Sequence, residues 1–555
     1  MPILDKEKIK VGLLLDSYSV PAWEYLMLEK IINSKVANIQ IIVKNNRNNS
    51  TLAFNDNSIK NRKYFLYNLY SKFDQKRYKR IPDAFEVKDT ANLLAGIPEI
   101  KLVPSQKSDN DFIEDNDIEK IKDFNIDVFI QLGFRNLRGE ILKLPKFGIW
   151  SYLHTDNRQY QGGPPGFFEV LENKRVACCA LVVLNEVLED RLVIYKSFSS
   201  THEDSVVITK NALFWKSSSF VIRKLEEYYY SGENSFKKET KQKNLEFYDK
   251  SLYETPLNGR TALLLLRYLK KRLTKKVLSK IYFEQWQLRF CLGDRISRTF
   301  HQFKKFIPAK DRFWADPFIV HKDDVYYIFI EELEYKNNKG YISVIVMDKN
   351  GNHSEPKKVL EKPYHLSYPF IFDWKNEYYM IPETCENRSI EIYKCSDFPY
   401  RWEFHKKIFE NTDAVDTTLF FYNGNWWLFT NIRENQGAAS FDDELFLFYS
   451  DDPLSENWNP HPLNPIVSDV RRARPAGRII DYEGNIYRPS QNCGGRYGRG
   501  LNLNKILKLS ETEYEEVEIG DYEPDWDKDL LGTHHISYDN GLTFIDVCSR
   551  RPKFF

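Results

Sequence analysis

The feature that most constrains this chain is a phrase that its second half repeats five times. Each copy is an apolar strand, a short turn holding Gly, Asn or Asp, and a second strand rich in Tyr, Trp and Phe. The copies begin at Asp316 (DPFIVHKDDVYYIFIEE), Tyr368 (YPFIFDWKNEYYMIPET), Asp416 (DTTLFFYNGNWWLFTNI), Arg474 (RPAGRIIDYEGNIYRPSQN) and His534 (HHISYDNGLTFIDVCSRR). Their starts are 52, 48, 58 and 60 residues apart, the length of one four-stranded propeller blade. A lone blade cannot bury both faces of its sheet, so five of them must close around an axis. The residue opening each innermost strand then points inward. Those residues are Asp316, Tyr368, Asp416, Arg474 and His534, a ring of hydrogen-bonding and titratable groups that suggests a polar ligand.

The 555 residues, 42% hydrophobic, leave room for two or three domains. A formal net charge of +1 gives no electrostatic case for nucleic acid. Aromatic residues make up 15% of the chain; β-rich architecture accounts for that first, and stacking against sugar rings second. The seven cysteines follow neither a disulfide nor a zinc pattern. The start, MPILDKEKIKVGLLLD, has no long apolar run, so a cytoplasmic location is the expectation.

Residues 9–16 (IKVGLLLD), 39–43 and 126–132 (IDVFIQL) have the pattern of buried strands, and Pro21 to Ile32 that of an amphipathic helix. The stretch FRNLRGEILKLP reads as a turn and helix. Such alternation implies a parallel α/β sheet, whose ligands sit at the carboxyl ends of the strands. The segment just after Gly148 is therefore expected in a site. The fold class expected is multidomain: a parallel α/β domain over 1–205, a helical connector over 206–300, and a five-bladed all-β propeller over 301–555. Within the connector, Thr261–Phe290 joins an apolar stripe to Arg267, Lys270, Lys271, Arg272, Lys275, Lys276 and Lys280. A basic amphipathic helix of this kind either lies peripherally on an anionic membrane or, more commonly, packs as a connector.

The segment GIWSYLHTDNRQYQGGPPGFFEVL (Gly148–Leu171), preceded by DVFIQLGFRNLRGEILKLPKFG, resembles the signature of formyltransferases, the group that contains methionyl-tRNA and sugar N-formyltransferases. The resemblance covers about residues 9–205 and implies that fold. In the family an Asn and a His stabilise an oxyanion while a distant Asp orders a relay water during formyl transfer from N10-formyltetrahydrofolate. Here Ser151 falls at the Asn position, Leu153 at the His position and His154 one place later. Glu189 or Asp190 falls near the Asp position. A slip of one residue would bring His154 into place. The loop also carries Asn157 and Arg158, which could bind an amino sugar or nucleotide sugar with or without chemistry.

The phrases FWADPFIV, YHLSYPFIF, MIPET, DAVDTTLFFYNGNWWLFTN, IYRPSQNCGGRYG and GTHHIS resemble the N-terminal region of plant glucosamine inositolphosphorylceramide transferases, and more distantly five-bladed glycosidases. The glycosidase resemblance implies Asp316 as base or nucleophile and Asp416 as the carboxylate that positions substrate and tunes the acid. The acid itself has no direct match, because blade four opens at Arg474. Glu383 of IPET is the best substitute and Glu332 a weaker one. Tyr368, Arg474, Arg488, Gln491, His534 and His535 would surround them, a cationic setting that suits an acidic or phosphorylated substrate. The expectation is thus a carbohydrate-active transferase of glycan or glycolipid assembly, acting on a sugar, nucleotide sugar or glycolipid. Two alternatives stay open: a sugar N-formyltransferase whose propeller holds the acceptor, and a non-catalytic glycan-binding protein.

Overall fold

The computed structural model describes all residues except 1–5, 48–61, 79–80, 109, 155–162, 187–190, 233–235, 237–253, 294–295, 297–298, 435–439 and 555. The chain divides into two compact units. The first is built chiefly from Met1–Ser197 and Thr201–Tyr268, the second from Leu269–Glu434 and Ser440–Phe555.

The first unit is organised by one seven-stranded sheet. Its strands are β1 (Ile9–Leu15), β2 (Ala37–Asn45), β3 (Glu99–Leu102), β4 (Val128–Gln131), β5 (Ile149–Leu153), β6 (Val176–Val183) and β7 (Leu192–Ser200). They lie in the order β7-β6-β5-β4-β1-β2-β3. Strands β1 to β5 are parallel, and β6 runs antiparallel to β5. Both faces of β1 are covered, which is why IKVGLLL is apolar at nearly every position. The helix Ala22–Ile32 buries Trp23, Met27, Leu28 and Ile31 against the sheet. The stretch FRNLRGEILKLP, expected as a turn and helix, instead forms a short strand at Asn136–Arg138 and a single 3-10 turn at Glu140–Lys143. Gly139, at φ 84°, separates the two and leaves too few residues for a regular helix.

The second unit is a five-bladed propeller. Four blades are consecutive four-stranded antiparallel sheets, opening with Arg312–Lys322, Ser367–Trp374, Ala414–Tyr422 and Ile480–Tyr482. All five repeated phrases form hairpins with the same two-residue turn. The turn pairs are Asp323–Asp324, Lys375–Asn376, Asn423–Gly424, Glu483–Gly484 and Asn540–Gly541, and both residues of each have positive φ. That is the geometry that matches the twist of adjoining strands, and it explains the Asn, Asp and Gly content of the turns.

The fifth blade joins the two ends of the unit. Tyr282–Leu292 pairs antiparallel along its whole length with Leu542–Pro552. The propeller therefore begins at Tyr282, ahead of residue 301, and the helix expected as far as Phe290 stops at Ile281. The aromatic run YFEQW favours the pleated sheet, and the C-terminal strand offers it a full partner edge that a helix could not use. Closure in this way leaves the ring without an open seam.

Candidate functional site

Three blades open with the same local distortion. The strand register breaks between Ala315 and Phe318, between Ser367 and Phe370, and between Val415 and Thr418. The residue at each break adopts positive φ: 51° at Asp316, 43° at Tyr368 and 52° at Asp416. For side chains other than Gly such conformations cost on the order of 1–3 kcal/mol each and persist only where neighbours hold them. At Asp316 and Tyr368 the neighbours are carboxylates of adjacent blades. Asp546 accepts the backbone N–H of Asp316 at 3.1 Å, and Asp316 accepts that of Tyr368 at 3.1 Å. Asp546 also takes the N–H groups of His534 and His535 at 2.9 and 3.0 Å.

The buried floor of the site is Asp316, His534, His535 and Asp546. His534 lies 2.6 Å from Asp546 through Nδ1 and 3.5 Å from Asp316 through Nε2. Burial disfavours its imidazolium, but Asp546 and Asp316 together lift His534 to about 9. Burial also works against the charge on Asp316, yet the opposing charge of His534 and the contacts of His535 hold it at about 2. Asp316 is thus a buried, firmly ionised carboxylate.

The second group is built around Arg474. Its guanidinium reaches Asp416 at 2.6 Å, Asp442 at 2.9 Å and Glu383 at 3.5 Å, and Gln491 donates to Asp416 at 2.8 Å. Burial first, and the charge of Asp416 second, push Glu383 well above the carboxylate range. His365 faces Glu331 at 3.1 Å, and despite burial this partner raises it to about 9. Tyr497, 41% exposed, lays its ring 4.8 Å from the Arg474 guanidinium. The Trp286 ring packs 4.1 Å from that of His534.

The structure therefore brings together Asp316, Glu383, Asp416, Arg474, Gln491, His534 and His535, but several expected roles change. Arg474 is neutralised by the carboxylates of Asp416 and Asp442, while Glu383 meets it as a protonated carboxyl, so the site does not present the cationic surface expected for an anionic substrate. Arg488 does not join them; it is saturated by Glu516 and by the carbonyls of Arg472 and Ala473 inside blade four. Tyr368 is a strut, its hydroxyl held by Thr418 at 2.8 Å and by the N–H of Gly477 at 2.9 Å. Glu332 is bonded to Arg312 and Ser343; strand alternation turns its neighbour Glu331 toward the axis instead. Sequence reasoning missed Glu331, His365, Asp442, Tyr497, Trp286 and Asp546. His365 stands inside the quoted phrase YHLSYPFIF, whereas Trp286 fell in the stretch expected to be helical.

In the first unit His154 is enclosed. Its ring stacks on Phe214 at 3.6 Å, its Nε2 lies 3.1 Å from Ser217 Oγ, and Trp23 meets it edge-on. Burial, and then Lys210, lower it to about 3, so it is neutral. Ser151 sits within β5 opposite Val182. Asn157, Arg158, Glu189 and Asp190 lie outside the described residues. A cavity of about 1000 Å³ opens at the carboxyl ends of β1, β2 and β4, lined by Asp16, Glu24, Asn45, Leu132, Asp74 and Lys210 among others. Burial and the nearby Asp16 push Glu24 up to about 8. Neither Ser151 nor His154 lines this cavity. The order of the sheet reverses between β1 and β4, and the cavity forms there instead of after β5.

A ring of five blades around an axial cluster of carboxyl groups defines the class of the second unit. A family model, "Glucosamine inositolphosphorylceramide transferase 1, N-terminal", matches residues 304–528. The glucosamine inositolphosphorylceramide transferase 1 of Oryza sativa subsp. japonica is 36% identical over 210 residues, 37% of this chain and 28% of that protein. The Arabidopsis thaliana protein of the same name is 36% identical over 210 residues, 37% of this chain and 27% of its own length. The chain thus spans little more than a quarter of the curated relatives it matches. Among solved structures, a beta-xylosidase aligns at TM-score 0.31 and 16% identity, over 40% of this chain and 82% of its own. A glycinamide ribonucleotide transformylase from Symbiobacterium toebii aligns at TM-score 0.27 and 11% identity, over 40% of this chain and 89% of its own.

Proposed function

We propose that the axial site of the propeller transfers a sugar in the assembly of a glycan or glycolipid. The observation that carries this reading is the contrast between two carboxyl groups of one cluster: Asp316 held ionised at about 2 and Glu383 pushed well above the usual range. Substitution at an anomeric carbon needs one carboxyl that stabilises positive charge and another that carries a proton. Glu383 supplies the proton to the departing oxygen and, left as a carboxylate, takes one back from the acceptor hydroxyl as the new glycosidic bond forms. Asp316 is too weak a base to take protons readily, so its part is to face the developing positive charge or to attack it. Asp416, fixed by Arg474 and Gln491, holds Glu383 in its protonated form. Tyr497 offers an exposed aromatic face for a pyranose ring. The excess of carboxylates favours a neutral sugar or an amino sugar over an acidic one, and the matched relatives are named for glucosamine transfer. The donor fitting this chemistry is an uncharged glycoside, whose departing oxygen needs that proton, and the acceptor a glycolipid.

The test uses the purified full chain with a panel of glycoside and nucleotide-sugar donors and glycolipid acceptors. Glu383→Gln lowers turnover on the order of 10²–10⁴-fold without shifting the melting temperature. Unchanged turnover in that variant defeats the proposal. A second reading, sugar N-formylation from N10-formyltetrahydrofolate, is favoured by the cavity at the ends of β1, β2 and β4. Calorimetric titration of the full chain with a reduced folate tests it, and absence of binding removes it.

A further inference from the structure

The helix Asn258–Ile281 contains no acidic residue in its 24 positions. Its inner face buries Thr261, Leu264 and Tyr268, the last two packing near Tyr70 and Phe167. Its outer face is apolar and exposed: Leu263 50%, Leu266 66%, Leu269 52%, Leu273 65%, Val277 57% and Ile281 47%. The steps of three and four residues place these six side chains within an arc of about 120° along the whole helix. An apolar stripe of this length is not the ordinary scatter of surface leucines. Arg267 and Lys276 border the stripe, and Lys270 and Lys280 rise from within it, all four exposed.

We infer that this helix lies on the surface of an anionic lipid bilayer. The stripe would enter the headgroup boundary while the basic side chains extend along it to reach lipid phosphates and carboxylates. Charge decides the occupant. A second copy of the helix would set basic residues against basic residues with no acid to relieve them, whereas an anionic bilayer complements the exposed charges along the stripe. No helix among the described residues is long and apolar enough to cross a membrane, so the contact is peripheral. The inference stands apart from the reading of the propeller, although a surface-bound enzyme would meet a glycolipid acceptor where it resides.

Flotation of the full chain tests it, with phosphatidylcholine vesicles compared with vesicles that also carry phosphatidylserine. The chain floats with the anionic vesicles, and raising the salt releases it. The variant Leu273→Gln/Val277→Gln loses flotation. The variant Lys270→Glu/Lys276→Glu/Lys280→Glu, confined to exposed positions, lowers binding about tenfold or more with an unchanged circular dichroism melt. Equal flotation with both vesicle types, or none with either, overturns the inference. So does sedimentation showing a dimer that Leu273→Gln/Val277→Gln converts to monomer while lipid binding persists.

Discussion

Arg474 is the group on which the axial site most depends, and Arg474→Met is the sharpest perturbation of it. Arg474 is 8% exposed, and its guanidinium touches Asp416, Asp442 and Glu383 at 2.6, 2.9 and 3.5 Å. Met fills much of the same volume but leaves three buried carboxyl groups facing one another. Removing one partner of a buried ion pair costs about 3–5 kcal/mol, because the remaining charge keeps its desolvation penalty without compensation. At about 2–4 °C per kcal/mol for a domain approaching this size, the propeller transition should fall by roughly 6–20 °C. Differential scanning calorimetry near neutral pH measures the loss. Lys508→Met, which breaks an exposed pair with Glu513, serves as a control and should change nothing measurable. If Arg474→Met melts within 2 °C of the parent, the account of the site as an arginine-centred carboxyl cluster is wrong.

Three other outcomes are expected. His534 is raised to about 9 by Asp546 and Asp316, so its contribution to stability is complete below the unfolded value of about 6.5 and disappears as pH rises through 9; His534→Gln should flatten the melting temperature across that window. Gly477 has φ 122°, and a Cβ there would stand 2.1 Å from the carbonyl oxygen of Ile536, so Gly477→Ala should destabilise the propeller by more than about 1 kcal/mol, measured by urea unfolding. His154 is a neutral ring stacked on Phe214, so His154→Leu should leave glycan products unchanged by mass spectrometry; loss of a formylated product alone would return chemistry to the first unit.

The repeat was legible because each blade obeys the same local rules. Apolar alternation, a two-residue turn and an aromatic return strand are all written within about 20 consecutive residues. The fifth blade was only half legible, since Tyr282–Leu292 acquires its identity from a partner more than 250 residues away, which no local pattern carries. Asp316, Asp416 and Arg474 could be found as blade-opening residues, and the structure does gather them. Their partnerships could not be found in this way. Arg474 and Arg488 look alike in sequence, yet one centres the axial cluster and the other is saturated within its blade. Glu331 and Glu332 are adjacent, and strand parity alone decides which one faces inward. In the first unit the strands of the parallel sheet could be read, but the cavity depends on strand order, which hydrophobic runs do not encode.

The central claim is that sugar transfer takes place at the propeller's axis. The most direct measurement is mass spectrometry of glycans and glycolipids from the parent organism lacking this gene, complemented with the intact gene or with Glu383→Gln. The account predicts that a whole sugar residue is missing from one product, that the intact gene restores it, and that Glu383→Gln does not. Restoration by Glu383→Gln, or a deficit equal only to the mass of a formyl group, would contradict it.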